Sequence, residues 1–156
     1  MGLRLSRAEA FAEIAAAHTG ILVSLRRDGV PIALPVWHVV LDARIYVGAP
    51  AHSKKIARVR RDPRVSYLVE SGERWIDLRG VHVTGLARIV DDDPDLVARV
   101  ASETSRKYAG FAGDRAAMPD DTRGYYERPR AMIEIVPDDR ILSWVNAGLF
   151  ADADSD

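Results

Sequence analysis

The chain has 156 residues, no cysteine, and 22 basic against 23 acidic residues for a formal net charge of −1. That length suits one domain able to bury a core unaided. The missing cysteine excludes thiol nucleophiles, disulfide frameworks, iron–sulfur clusters and cysteine-ligated zinc. The near-zero charge gives no electrostatic reason to seek nucleic acid, and no apolar run approaches the ~18 residues of a membrane span. A short charged start, Met1 to Ser6, lacks the apolar core of a secretory signal, so the expected location is the cytoplasm. A single domain is expected over 1–150, followed by an acidic flexible tail at 151–156.

Ser6 and Glu9 have capping-box spacing and open a short helix with Phe11, Ile14 and Ala15 on its apolar side, stopped at His18-Thr19-Gly20. A strand follows over Ile21–Leu25. Asp28-Gly29 then marks a tight type I′ turn. Pro31–Leu41 reads as one long strand covered on both faces, because neither alternating set is polar. Its prolines, Pro31 and Pro35, cannot donate ladder hydrogen bonds and argue for an edge, a bulge or an opening.

Arg44–Gly48 is a further strand, and Ser53 is placed as the N-cap of a short helix with Ile56 and Val59 inward, ended by Asp62-Pro63. Val65–Glu70 and a long run Arg74–Val90 read as strands, with Gly80 and Gly85 as bulges or points of close backbone approach. Asp93-Pro94 opens a second helix reaching about Lys107. Gly110–Tyr126 is polar and rich in Gly, Pro and Asp, a loop and a candidate lid; Ala131–Val136 and Ile141–Val145 are the last strands. Strands mostly follow strands without regular βαβ alternation, so the architecture is mainly β: an antiparallel barrel with helices at its ends.

Charge is uneven. Between His52 and Arg64 stand Lys54, Lys55, Arg58, Arg60, Arg61 and Arg64 against the single acid Asp62. In Ala49–Lys55 a strand end leads into a helix N-terminus, where free N–H groups and the helix dipole attract phosphate. Ser53, Lys55 and Arg58 could add charge-assisted bonds there. The competing reading is a capped surface helix with a solvated basic face. Pro35-Val36-Trp37-His38 offers an aromatic–imidazole pair able to border a flat ring. Against that, Trp37 could be a core or dimer contact and His38 a satisfied buried histidine. For Trp75 and Trp144 burial is the simpler expectation. The four histidines show no metal-binding spacing, and no nucleophile elbow or Walker sequence is present.

The order of these parts resembles the pyridoxamine 5′-phosphate oxidase-like family of split β-barrels, which bind FMN or the deazaflavin coenzyme F420. The resemblance rests on Gly20–Leu25, Asp28-Gly29-Val30-Pro31, Pro35-Val36-Trp37, Ile45-Tyr46-Val47, Ser53-x-Lys55, Arg60-Arg61-Asp62-Pro63-Arg64-Val65 and Val81-x-Val83-x-Gly85-x-Ala87. Its most telling part is the stretch running from Lys55 to Val65. Pro129-Arg130 with Ile133, Ile135, Pro137, Arg140 and Ile141 is similar to the family's closing strands.

The resemblance implies an antiparallel Greek-key split barrel of the FMN-binding type and a homodimer with cofactor sites at the subunit interface. It implies that Ser53, Lys55 and Arg58 hold the cofactor phosphate, that Pro35, Val36, Trp37 and His38 run along the tricyclic ring, and that Tyr46, Val47 and Gly48 line the same groove. Trp75 and Arg79 would contribute from the other subunit. The implied activity is hydride transfer to or from a small planar substrate by bound FMN or F420, with no side chain needed as acid or base. The alternative is a non-catalytic carrier of a flavin, a deazaflavin or a tetrapyrrole. The 102–126 segment matches no part of the family pattern, and vitamin B6 oxidation is not expected, because the extra substrate-phosphate residues of that enzyme have no counterpart here.

Overall fold

In a computed structural model, residues 4–149 can be described; the acidic tail expected at 151–156 lies outside them. Seven antiparallel strands form one curled sheet in the order β2-β1-β5-β6-β7-β4-β3. They are β1 (Gly20–Leu25), β2 (Pro31–Val36), β3 (Val39–Leu41), β4 (Arg44–Pro50), β5 (Arg64–Ser71), β6 (Arg79–Val90) and β7 (Arg130–Val145). Four helices accompany them: α1 (Arg7–Ala16), α2 (Lys54–Arg61), α3 (Pro94–Lys107) and α4 (Asp120–Glu127). This is the antiparallel barrel expected from the strand pattern, in the split form that the family resemblance implies.

The inner face is apolar because alternate residues of every long strand point there. Ile45, Val47 and Ala49 of β4, Val81, Val83 and Ala87 of β6, and Ile133 and Ile135 of β7 share one buried cluster. Phe11 and Ile14 of α1 and Ile56 and Val59 of α2 belong to the same cluster, so both helices pack their apolar sides onto the barrel interior. The Ser6–Glu9 capping box forms as the spacing predicts, with both reciprocal bonds present. A second, smaller cluster of Val39, Tyr46 and Val100 seats α3 on the outer face of β3 and β4.

Several elements differ from the sequence reading. The strand expected over Pro31–Leu41 breaks at Trp37-His38, and β2 and β3, on either side of that break, are the two edge strands of the sheet. Two residues therefore span the split in the barrel, which fits the prolines confined to an edge. The Asp28-Gly29 turn is not type I′, because only Gly29 has positive φ. It closes instead through Gly29 N–H to Arg26 O and Arg26 N–H to Val30 O, the pattern of a type I turn with a glycine bulge. Both positive φ angles needed for a two-residue hairpin occur at Asp42 and Ala43, between β3 and β4.

Trp75–Asp77 is a 3₁₀ turn rather than the start of a strand, so β6 begins at Arg79. The two last strands are one, β7, which bends where the β6–β7 register shifts between Val83 and Gly85. The extra residues are on β7, where Asp138, Asp139 and Arg140 stand opposite Thr84 alone. Gly85 and Gly80 are both close approaches: a Cβ would lie 2.3 Å from Val136 O at the first and 2.3 Å from the Trp144 ring at the second. The segment read as a loop holds a short 3₁₀ turn, Arg115–Ala117, and α4.

Candidate functional site

The break in the edge strand builds one wall of the site. Once Trp37-His38 leaves the sheet, its backbone groups need other partners, since buried unpaired amides are costly. The end of α3 supplies them. His38 N–H donates to Tyr108 Oη at 2.9 Å, and Lys107 Nζ donates to His38 O at 3.0 Å and to Ala17 O at 2.7 Å. Tyr108 Oη also lies 2.7 Å from His18 O and 3.0 Å from His38 O, either of which can accept its proton. Burial pulls the Lys107 ammonium down to about 8, with no carboxylate in ion-pair reach among the described residues.

Held this way, the Tyr108 ring lies flat against one face of Trp37, with centroids 4.2 Å apart and planes within 2°. His18 meets the Trp37 edge at 5.7 Å and Phe111 at 4.6 Å. Trp37 remains 39% exposed and lines a cavity of about 690 Å³. The cavity floor is the outer face of β4, β6 and β7, including Gly48, Val90 and Met132. Val97, Ala101, Thr104 and Ser105 of α3 form its side, and Phe111, Met118 and Tyr126 its roof. Most of the lining is apolar or aromatic, the usual character of a site for a flat organic ligand.

Beside this cavity lies the basic helix α2. Ser53 occupies the N-cap position but makes no capping bond, and its buried Oγ has no partner. Arg58 is buried; its Nε donates to Ser24 Oγ at 2.8 Å, while its Nη2 is buried and unpartnered. Burial, then the positive charges of Arg58 and Arg130, depress the Lys55 ammonium below the ordinary lysine range. Burial and then Arg61 do the same to Arg58. No carboxylate pairs with Lys55, Arg58 or Arg130 among the described residues. Unpaired cations beside donors without acceptors fit an anionic group such as a phosphate. The His52 ring meets Tyr125 of α4 at 4.8 Å, so the loop entering α2 and the roof segment touch.

The structure brings only part of the predicted set together. Trp37 and Gly48 line the cavity, with Ser53, Lys55 and Arg58 in the neighbouring α2 region. Val36 and Val47 face the core. Pro35 pairs with Ile21 on the exposed edge strand. Tyr46 is buried on the outer face, and its hydroxyl donates to Glu134 Oε2 at 2.9 Å. Of the two readings His38 is the buried histidine, but only one of its ring nitrogens is bonded. Its Nε2 lies 2.6 Å from Ile14 O, and burial above all lowers it to about 4, so it is neutral. Its buried Nδ1 has no partner.

Trp75, expected to be buried, is 60% exposed. Arg79 pairs with Glu13 and lines a separate cavity of about 410 Å³ with Glu70 and Ser71. Neither Trp75 nor Arg79 reaches the Trp37 cavity within one chain. Sequence reasoning passed over Thr104 and Arg130 as parts of the site. Arg130 was visible only as part of a strand motif; register then sets it opposite Pro50, at the mouth of α2.

A family model described as pyridoxamine 5′-phosphate oxidase matches residues 6–141. The chain belongs to that family. Among solved structures it is similar to a conserved hypothetical protein from Mycobacterium tuberculosis, at 32% identity over 95% of this chain and 89% of that one, with a TM-score of 0.78. An F420 reductase shares the fold at 20% identity, 84% and 94% coverage and a TM-score of 0.61. So does the heme storage protein HutZ from Vibrio cholerae, at 14% identity, 91% and 96% coverage and a TM-score of 0.68. No curated protein matches the sequence.

Proposed function

We propose that the protein is a flavin- or deazaflavin-dependent oxidoreductase acting on a small planar substrate. One observation carries the reading: an aromatic-walled cavity of about 690 Å³ lies against a cluster of cations that have no acid partner among the described residues. FMN and F420 each join a flat ring to an anionic tail, and when bound either supplies two-electron hydride chemistry that the side chains lack. The chain's own part is to bind and orient. Tyr108 fixes Trp37 as a platform for one face of the ring. Lys55 and the free donors of Ser53 and Arg58 hold the anion, and the apolar roof of Phe111 and Met118 limits water. The likeness to an F420 reductase supports an enzyme and the likeness to a heme storage protein supports a carrier, so turnover decides between them.

The same reading includes a homodimer in which Trp75 and Arg79 of one copy approach the cavity of the other. The exposed apolar residues Leu86, Val136 and Leu142 on β6 and β7 are a suitable surface for such pairing. Light scattering at the 17.2 kDa monomer mass would end that part of the proposal.

The test is a parallel titration with FMN and F420, followed by stopped-flow reduction with a nicotinamide donor or reduced F420. One coenzyme is expected to bind, and Lys55→Ala to weaken it by about 1.5–3 kcal/mol, the scale of a hydrogen bond to a charged group. Unchanged affinity in the variant removes the phosphate assignment. Bound coenzyme that no donor or acceptor turns over makes the protein a carrier.

A further inference from the structure

We infer that Arg130, lying across the bare backbone of Gly48, is the second jaw of the anion site and joins that site to the ring cavity. The ligand's identity rests on the function proposed above; the grip on an anion does not.

Lys55 and the cavity belong to different elements, and Lys55 does not line the cavity. Arg130 does, and it is placed to connect the two. It opens β7 opposite Pro50 of β4, only a few residues before α2. The N–H of Ala51 donates to Pro129 O at 2.9 Å, which ties the start of β7 to the loop that enters α2. From there the guanidinium reaches along the outer face of β4. A Cβ added to Gly48 would lie 3.3 Å from Arg130 Nη2 and 3.9 Å from its Nε. Contact at 3.3 Å would make the guanidinium give by a few tenths of an ångström, so the bare glycine lets it lie close against the β4 backbone. Gly48 has ordinary backbone angles, so the need is for space and not for a left-handed conformation.

Charge completes the argument. Arg130 makes no ion pair among the described residues, and it is near enough for its charge to act on Lys55. Two cations from distant parts of the chain are thus held close with nothing negative between them. A guanidinium offers a planar fork of donors that matches two oxygens of a phosphate, whereas an ammonium offers a point charge. A phosphate ester seated between Lys55 and Arg130 would satisfy both and place its organic portion over the Gly48 floor, facing Trp37. The ring is held by aromatic surface and the tail by this pair, so removing Arg130 should affect only ligands that carry the anion.

The experiment compares FMN with riboflavin, which lacks the phosphate, by flavin fluorescence titration; if the deazaflavin is the coenzyme bound, F420 and its phosphate-free fragment replace them. Arg130→Gln should weaken FMN about ten- to a hundredfold and leave riboflavin unchanged. Arg130→Lys should restore only part of the loss. Equal losses for FMN and riboflavin, or no loss of FMN, overturn the inference.

Should the wild-type protein bind neither coenzyme, the proposed function fails by itself. The grip is then judged with inorganic pyrophosphate, by following the Arg130 Nε–H resonance of ¹⁵N-labelled protein. A shift that is lost in Lys55→Ala supports the grip, and an unmoved resonance in the wild type overturns it.

Discussion

Two groups of basic residues meet this sheet, and they end in opposite states. Arg44 and Arg88 converge on Glu134, which is only 1% exposed. Arg88 Nε donates to one carboxylate oxygen at 2.8 Å; Arg44 Nη1 at 3.3 Å and the Tyr46 hydroxyl at 2.9 Å donate to the other. Every polar atom of that carboxylate is occupied, and the Arg88 and Tyr46 bonds outweigh burial to keep Glu134 below the ordinary glutamate range. Lys55, Arg58 and Arg130 have no such acid, and burial and mutual repulsion disfavour the charges on Lys55 and Arg58. The first group is finished by the fold itself. The second is left without a carboxylate partner among the described residues. Buried polar groups are normally paired, so an unfinished cluster is the better pointer to a ligand, however similar the two look in composition.

The sharpest way to break this contrast is to remove the finished cluster's centre. Glu134→Ala should destabilise the protein by about 2–4 kcal/mol. Losing one side of a buried ion pair costs roughly 3–5 kcal/mol, here eased because both arginines are about half exposed and can recover water. Urea unfolding measures it. A change under about 0.5 kcal/mol would mean that occupied hydrogen bonds do not mark a structural cluster here.

His38 sharpens the contrast because it is half finished, with Nε2 bonded and Nδ1 not. Its folded pKa is about 4, depressed from 6.5 chiefly by burial and against the pull of the Ile14 carbonyl. A depressed folded value means that the unfolded chain binds the proton first as pH falls. Stability is therefore complete above about 6.5 and declines down to about 4, by roughly 3 kcal/mol in all. His38→Gln should flatten that decline whatever it does to stability at neutral pH. An unflattened slope between pH 6.5 and 4 assigns the acid sensitivity elsewhere.

What the sequence could show follows the same division between local and distant pairing. The capping box and the proline-limited edge depend on neighbours along the chain, and each formed where local rules put it. The break at Trp37-His38 was hidden because the flanking residues are apolar on both alternating faces, which reads as continuous strand. The Asp42-Ala43 hairpin turn carried no glycine or asparagine to announce its positive φ angles. Trp37 and Gly48 were legible as lining one groove, since the family resemblance sets both along it, and they do line one cavity. Arg130 was not, because the β4–β7 register brings it there from far along the chain. His38 could be read either way, and only the position of the Ile14 carbonyl decided it.

The smallest expected effect tests the unfinished cluster without any ligand. Lys55→Met removes a half-buried charge that has only like charges for neighbours, and keeps the stem that packs on the protein. It should leave stability unchanged or raise it by up to about 1 kcal/mol, the modest scale of a solvent-screened interaction. Salt gives the diagnostic. Repulsion between Lys55, Arg58 and Arg130 is screened as ionic strength rises, so the wild type should gain a little stability between low and moderate chloride, and the variant should gain less. A control at Arg88, whose partners are acids, should move the other way, because screening weakens an attraction. If Lys55→Met instead costs as much as Glu134→Ala, Lys55 has a partner within the fold, and the distinction between the two clusters disappears.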